Sequence, residues 1–142
     1  MKRFLLMGIL ILPMVLLRAE PEKAYSGDVR VQTLLRSSTN SAGQTIEYPH
    51  DGKAEVSILK VEIPPGKETG WHQHPVPIFG YVLAGQVTVH LANGHTHTFH
   101  QGDAMAESVK MLHNGVNEGK ETTKLLIFVA GEKNVPFTVK AK

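Results

Sequence analysis

The sequence contains no cysteine. That excludes disulfide staples and thiolate ligands alike, so any bound metal must rest on histidine and oxygen donors. Nor is there a strong excess of either charge: 15 Lys and Arg against 13 Asp and Glu give a formal +2. No basic stripe interleaved with aromatics runs through it, so nucleic acid is not an expected partner. Helical periodicity is missing too. After the leader, no stretch of ten or more residues repeats its apolar positions every three or four. What remains is 13 glycines and 8 prolines between short runs rich in Val, Ile and Thr, in a chain of 142 residues. A single all-β domain with a real core is the expectation.

At the N-terminus, Lys2 and Arg3 precede an apolar run from Phe4 to Leu17, closed by Arg18-Ala19-Glu20-Pro21. Basic, then apolar, then polar is the layout of a secretory signal, with cleavage expected after Ala19. The run is broken by Gly8 and Pro13 and is shorter than the ~20 residues of a membrane span. Leu17 and Arg18 fit the small-residue cleavage rule poorly, so an uncleaved anchor stays open as the alternative. In that case this segment is the expected membrane contact. The lack of cysteine near the exit excludes a lipidated N-terminus. Without residues 1–19 the basic residues fall from 15 to 12 against 13 acids, a net of −1. The protein reads as exported by a bacterium, periplasmic or secreted.

The rest divides into a polar arm, residues 20–43, which includes a candidate edge strand Val31–Arg36, and a domain at 44–142. In the domain, Gln44–Tyr48, Ala54–Ile63, Ile78–Leu83, Gln86–Leu91, His95–His100, Ala104–Glu107, Lys124–Ala130 and Pro136–Lys140 are candidate strands. Turn residues separate them at regular short intervals, the spacing of a sandwich or barrel. Asn93-Gly94 is the strongest hairpin signal. Leu125-Leu126-Ile127-Phe128-Val129 reads as a strand buried on both faces.

The chemistry concentrates at His72-Gln73-His74 and His113. Histidines at i and i+2 of a strand point to one face, and a third from another strand can close on the same point. Three neutral imidazoles suit zinc, copper, iron or nickel. Three protein ligands leave coordination positions open, as catalytic sites do.

At these residues the chain resembles the cupins, small jelly-roll β-barrels. The first cupin motif, G-x5-H-x-H-x3,4-E-x6-G, falls on Gly66, His72, His74 and Gly85, with Ile78 where the glutamate stands. The second, G-x5-P-x-G-x2-H-x3-N, falls on Gly102, His113 and Asn117, with Ser108 and Lys110 at the proline and glycine positions. The resemblance implies an antiparallel jelly-roll barrel over roughly residues 44–140. It also implies a single divalent ion (Fe, Mn, Ni, Cu or Zn) held by His72, His74 and His113, and a homodimer; residues 20–36 are a candidate strand to cover a neighbour's exposed edge. Three-histidine cupins are similar to the thiol dioxygenases, a parallel in ligand count.

Glu107 is the candidate replacement for the lost carboxylate, as fourth ligand or general base; the alternative is a rim residue, solvated or paired with Lys110. Ile78, Val56, Val82, Val87 and Met105 are expected to line an apolar pocket, with Gly80 leaving room for a ligand. Pro75-Val76-Pro77 is expected at the barrel mouth, Trp71 on the opposite face from the ion, and Asn117 fixing a turn. His50, His90, His95, His97 and His100 receive no role. The function that follows is metal-dependent oxidation, dioxygenase-type, of a small anionic organic molecule. The alternatives are a non-catalytic small-molecule or metal-binding protein, and a metal-dependent isomerase or lyase with Glu107 as base.

Overall fold

A computed structural model describes residues 29–142; the expected leader at 1–19 lies outside the described residues. Nine strands and no helix occur among them: β1 Ala54–Ile63, β2 His72–Gln73, β3 Ile78–Ala84, β4 Gln86–Leu91, β5 Thr96–His100, β6 Ala104–Ala106, β7 His113–Val116, β8 Thr123–Glu132 and β9 Val139–Lys140. They form a four-stranded sheet, β1-β8-β3-β6, and a five-stranded one, β5-β4-β7-β2-β9, with antiparallel ladders throughout. This is the expected all-β jelly roll. Residues from Leu34 to Lys142 pack as one unit.

Alternation builds the core. In β1 the side chains of Leu59, Val61 and Ile63 turn inward, and in β8 those of Leu125, Ile127 and Val129 do. Val87, Val89 and Leu91 face them from β4, as their shared parity requires. Each such side chain taken fully out of water contributes about 1.5–3 kcal/mol. The Asn93-Gly94 turn joins β4 to β5 as the dipeptide predicts. Gly94 takes φ +89°, a left-handed conformation open to glycine at no steric cost.

Several expectations are corrected. Val31–Arg36 forms no ladder among the described residues, and of Gln44–Tyr48 only Thr45 pairs, in an isolated bridge with Thr39. Residues 38–46 instead fold into a tight loop around the buried Asn40, whose Oδ1 accepts from Ala42 N and Gln44 N. β8 is buried on one face only: Leu126 and Phe128 are 42% and 43% exposed. The apolar run misled because an outer sheet face can also carry apolar side chains. Val56 is likewise exposed, on the outer face of β1, and cannot line a pocket. Gly80 does face inward, but Met105 and Ile127 fill the space: a Cβ there meets their side chains at 3.1 and 3.2 Å.

Lys110 lies between β6 and β7 with φ +54°. It stands where the second motif has glycine, and the backbone keeps the glycine conformation. A left-handed non-glycine residue costs roughly 1–2 kcal/mol. Lys110→Gly is therefore expected to stabilise the fold by about 1 kcal/mol, after the extra chain entropy of glycine is discounted. Urea denaturation checks this; a loss of stability contradicts it.

Candidate metal centre

β2 and β7 run side by side with His72 directly opposite His113. Opposed residues share a face, with Cβ atoms ~4.5–5.5 Å apart, so the two rings meet. His74, two residues on, completes the group. The ring centroids lie 4.5–4.9 Å apart, and one nitrogen from each ring falls within 4.8 Å of the others. His74 and His113 are buried; His72 is partly so.

Each ring is anchored through Nδ1 to a backbone carbonyl: His72 to Gly70 O at 2.7 Å, His74 to Phe137 O at 2.7 Å, His113 to Met111 O at 2.9 Å. A carbonyl can only accept, so every Nδ1 carries the hydrogen. In a neutral imidazole the other nitrogen is then a bare lone pair. All three Nε2 atoms are thus assigned as acceptors by the tautomer their anchors select, the arrangement that orients metal-ligating histidines. Ser108, at the motif's proline position, adds a hydroxyl 3.1 Å from His113 Nδ1.

Glu107 enters from the end of β6. Its Oε2 lies 3.2 Å from His74 Nε2 and 3.2 Å from His113 Nε2. His113 Nε2 is buried and has no well-aligned hydrogen-bond partner. Burial works against the Glu107 charge, yet its close approach to the His113 and His74 rings outweighs that and brings its pKa down to about 2. Burial likewise opposes charge on His113, but the Glu107 carboxylate and the Met111 carbonyl together raise its pKa. Burial dominates for His72 and lowers its pKa. A carboxylate and bare imidazole nitrogens converge here with only lone pairs to offer. A cation between them reconciles the arrangement, a proton when the protein is metal-free and a divalent ion otherwise. The residues present fit a metal ion.

Beneath the imidazoles opens a cavity of about 240 Å³, walled by Leu59, Val61, Ile63, Val87, Val89, Met105, Leu125 and Ile127, with Ile78 beside the ligands. Its polar groups are the three imidazoles, Glu107, Thr69, Thr138 and Lys140. Lys140 pairs across from His72 in the β2–β9 ladder. Of the expected pocket residues, Ile78, Val87 and Met105 line this cavity, whereas Val82 is buried in the packed core. The five histidines without a role stand outside the cluster. Trp71 is exposed, off the metal face. Sequence reasoning missed Ser108 and the Phe137 carbonyl. Ser108 had a signal, its departure from the motif proline; the carbonyl, 63 residues from His74, had none.

A family model described as Cupin domain matches residues 59–129. The sequence matches none of the curated proteins. Among solved structures, the chain is similar to a conserved protein with a double-stranded beta-helix domain from Klebsiella pneumoniae: 20% identity, TM-score 0.54, 75% of this chain and 99% of that one. It is also similar to the DMSP lyase DddQ from Ruegeria pomeroyi (19%, TM-score 0.54, 61% of this chain, 43% of that one). A Lactobacillus farciminis oxalate decarboxylase in complex with formate matches at 24%, TM-score 0.54, over 60% of this chain and 26% of that one. This chain covers less than half of the lyase and decarboxylase chains, and at these identities the likeness is one of fold.

Proposed function

The chain belongs to the cupin domain family, and from that premise we propose an exported metalloenzyme that oxidises a small organic anion, dioxygenase-type, at one ion held by His72, His74 and His113. What supports the metal reading is the set of three Nδ1 anchors, which leave the three Nε2 lone pairs free on rings whose ligand nitrogens lie within 4.8 Å of one another. A divalent ion there would supply Lewis acidity or, if redox-active, electron transfer to dioxygen. The chain's own part is to bind and shield. The aliphatic cavity takes the substrate's apolar body and keeps water out, and the Lys140 ammonium favours an anionic head. Among the described residues, the cavity wall offers no carboxylate for proton transfer apart from Glu107, which favours chemistry supplied by the ion over side-chain acid–base steps.

That same scarcity favours, as a second reading, a carrier that sequesters a small molecule. Elemental analysis of protein from its native compartment, followed by oxygen uptake on thiols, diols and flavonols, separates the two. Iron or copper with uptake on one class is expected. Zinc, with silence across the panel and a tightly retained small molecule, overturns the oxidase reading in favour of the carrier. Export predicts a mature N-terminus at Glu20, read by intact mass. We also propose pairing of two copies through the outer sheet face, where Ile58, Phe128 and Phe79 form one cross-strand row. Light scattering is expected to give twice the chain mass.

Affinity for the ion should fall with acidification. Each imidazole must be neutral to ligate, so protons compete with metal. His113, with its raised pKa, takes the first proton as the pH falls, beginning above the ordinary imidazole range; His72, with its lowered pKa, follows below it. Chelator competition from about pH 8 to about pH 5, the window of imidazole titration, is expected to show a monotonic loss. The slope is roughly tenfold per pH unit for each proton displaced. Constant affinity across that window contradicts imidazole ligation.

A further inference from the structure

The first cupin motif places its carboxylate at the position held here by Ile78, which cannot coordinate. The ladder between β3 and β6 pairs Phe79 with Ala106 and Gly80 with Met105. Continued by one step, that register sets Glu107 opposite Ile78, and Glu107 N donates to Ile78 O at 2.9 Å. Residues opposite one another in an antiparallel pair project from the same face, with Cβ atoms ~4.5–5.5 Å apart. A carboxylate on either residue can therefore reach the same point in space. Ile78 and Glu107 both line the cavity beside the imidazoles.

We propose that the ligand carboxylate has crossed the sheet: Glu107 is the fourth protein ligand of the ion, in place of the motif residue at 78. This rests on the three-histidine metal reading. The distances support it. One oxygen, Oε2, stands 3.2 Å from both His74 Nε2 and His113 Nε2. Ligand atoms bonded about 2.0–2.2 Å from one ion, at octahedral to tetrahedral angles, lie about 3.0–3.5 Å from each other. A base acting on substrate needs one oxygen free for the cavity, whereas this Oε2 stands within 3.2 Å of two imidazole nitrogens.

The surrounding chain holds Glu107 in that place. Gln44 Nε2 donates to Val109 O and Val109 N donates to Gln44 Oε1, both at 3.0 Å, so one side-chain amide grips both backbone groups of the same residue. Ser41 N donates to Ala106 O at 2.9 Å. The loop at 38–46 therefore brackets Glu107 on both sides and fixes where its backbone lies.

The test is metal affinity, read by chelator competition with zinc on the full-length protein. Glu107→Gln keeps the side-chain volume and removes the charge; a loss of about 100-fold is expected for one charged ligand. The swap Ile78→Glu with Glu107→Ile returns the carboxylate to the motif position and is expected to restore affinity to within about tenfold of the natural protein. Unchanged affinity in Glu107→Gln overturns the proposal while leaving the three-histidine site standing, and so does retained metal with lost turnover, the signature of a base. If the natural protein itself binds no metal, the underlying reading fails instead. Should the swap not fold, as a melting curve will show, Glu107→Asp decides. Drawing the carboxylate back by one methylene is expected to weaken binding by at least tenfold, and affinity equal to the natural protein's overturns the assignment.

Discussion

Replacing His113 by alanine is expected to abolish stoichiometric metal binding and to destabilise the fold as well. His113 is 2% exposed, opens β7 and stands across from His72. Its removal takes one of three imidazoles from the ion. With total binding energies of structural sites near 10–16 kcal/mol, one ligand of four accounts for about 3–4 kcal/mol, or on the order of 10²–10³ in affinity. The same change strips a partner from Glu107, a carboxylate whose side chain is only 16% exposed and that then faces His74 alone. Buried charge left with fewer partners is costly. The metal-free variant should therefore melt below the metal-free natural protein. Metal titration and thermal denaturation in chelator separate the two effects. Metal bound as tightly as before removes His113 from the site; a lower affinity with unchanged metal-free stability removes Glu107 from its partnership.

The largest effect remote from the ion is expected at Asn117. This side chain is fully buried. Its Nδ2 donates to Ile63 O and Glu121 O, each at 2.7 Å, and its Oδ1 accepts from Gly119 N at 2.9 Å. One amide thus ties the end of β1 to the loop that carries the chain from β7 into β8. Asn117→Ala leaves two carbonyls and one N–H without partners. A buried group so orphaned costs about 1–3 kcal/mol, and water reaching the exposed Glu121 and half-buried Gly119 recovers part of it, so a loss of roughly 3–5 kcal/mol is expected. Urea unfolding measures it. Metal affinity should change little below the transition, because no imidazole touches this amide. A loss under 1 kcal/mol would contradict the role assigned to those three bonds (about one ordinary hydrogen bond's net value).

The imidazole pair and the hairpin were legible because both are local. Alternation along a strand puts His72 and His74 on one face, and Asn93-Gly94 states its turn in two residues. What failed, or went unseen, depended on partners. Leu126 and Phe128 extend an apolar run that on composition alone reads as an interior strand; only the structure shows that their face stays 42% and 43% exposed among the described residues. Val56 shares the alternation of β1 but falls on its outer side. Gly80 lies inward as parity requires, yet whether a ligand or a neighbour fills the gap was decided by Met105 and Ile127 from other strands. Glu107 was singled out by parity with Met105. Its register against Ile78 follows from how β3 and β6 align, a tertiary fact. The Phe137 carbonyl that sets the His74 tautomer is a backbone group, which carries no trace in the identity of its residue.

The central claim is that one ion sits where His72, His74 and His113 converge. Anomalous diffraction at the absorption edge of the natively bound metal tests it most directly. A single peak is expected inside the barrel, about 2.0–2.2 Å from the three Nε2 atoms. A peak elsewhere, for example at His95 and His97 beside the β4–β5 turn, or no peak at full metal loading, contradicts it.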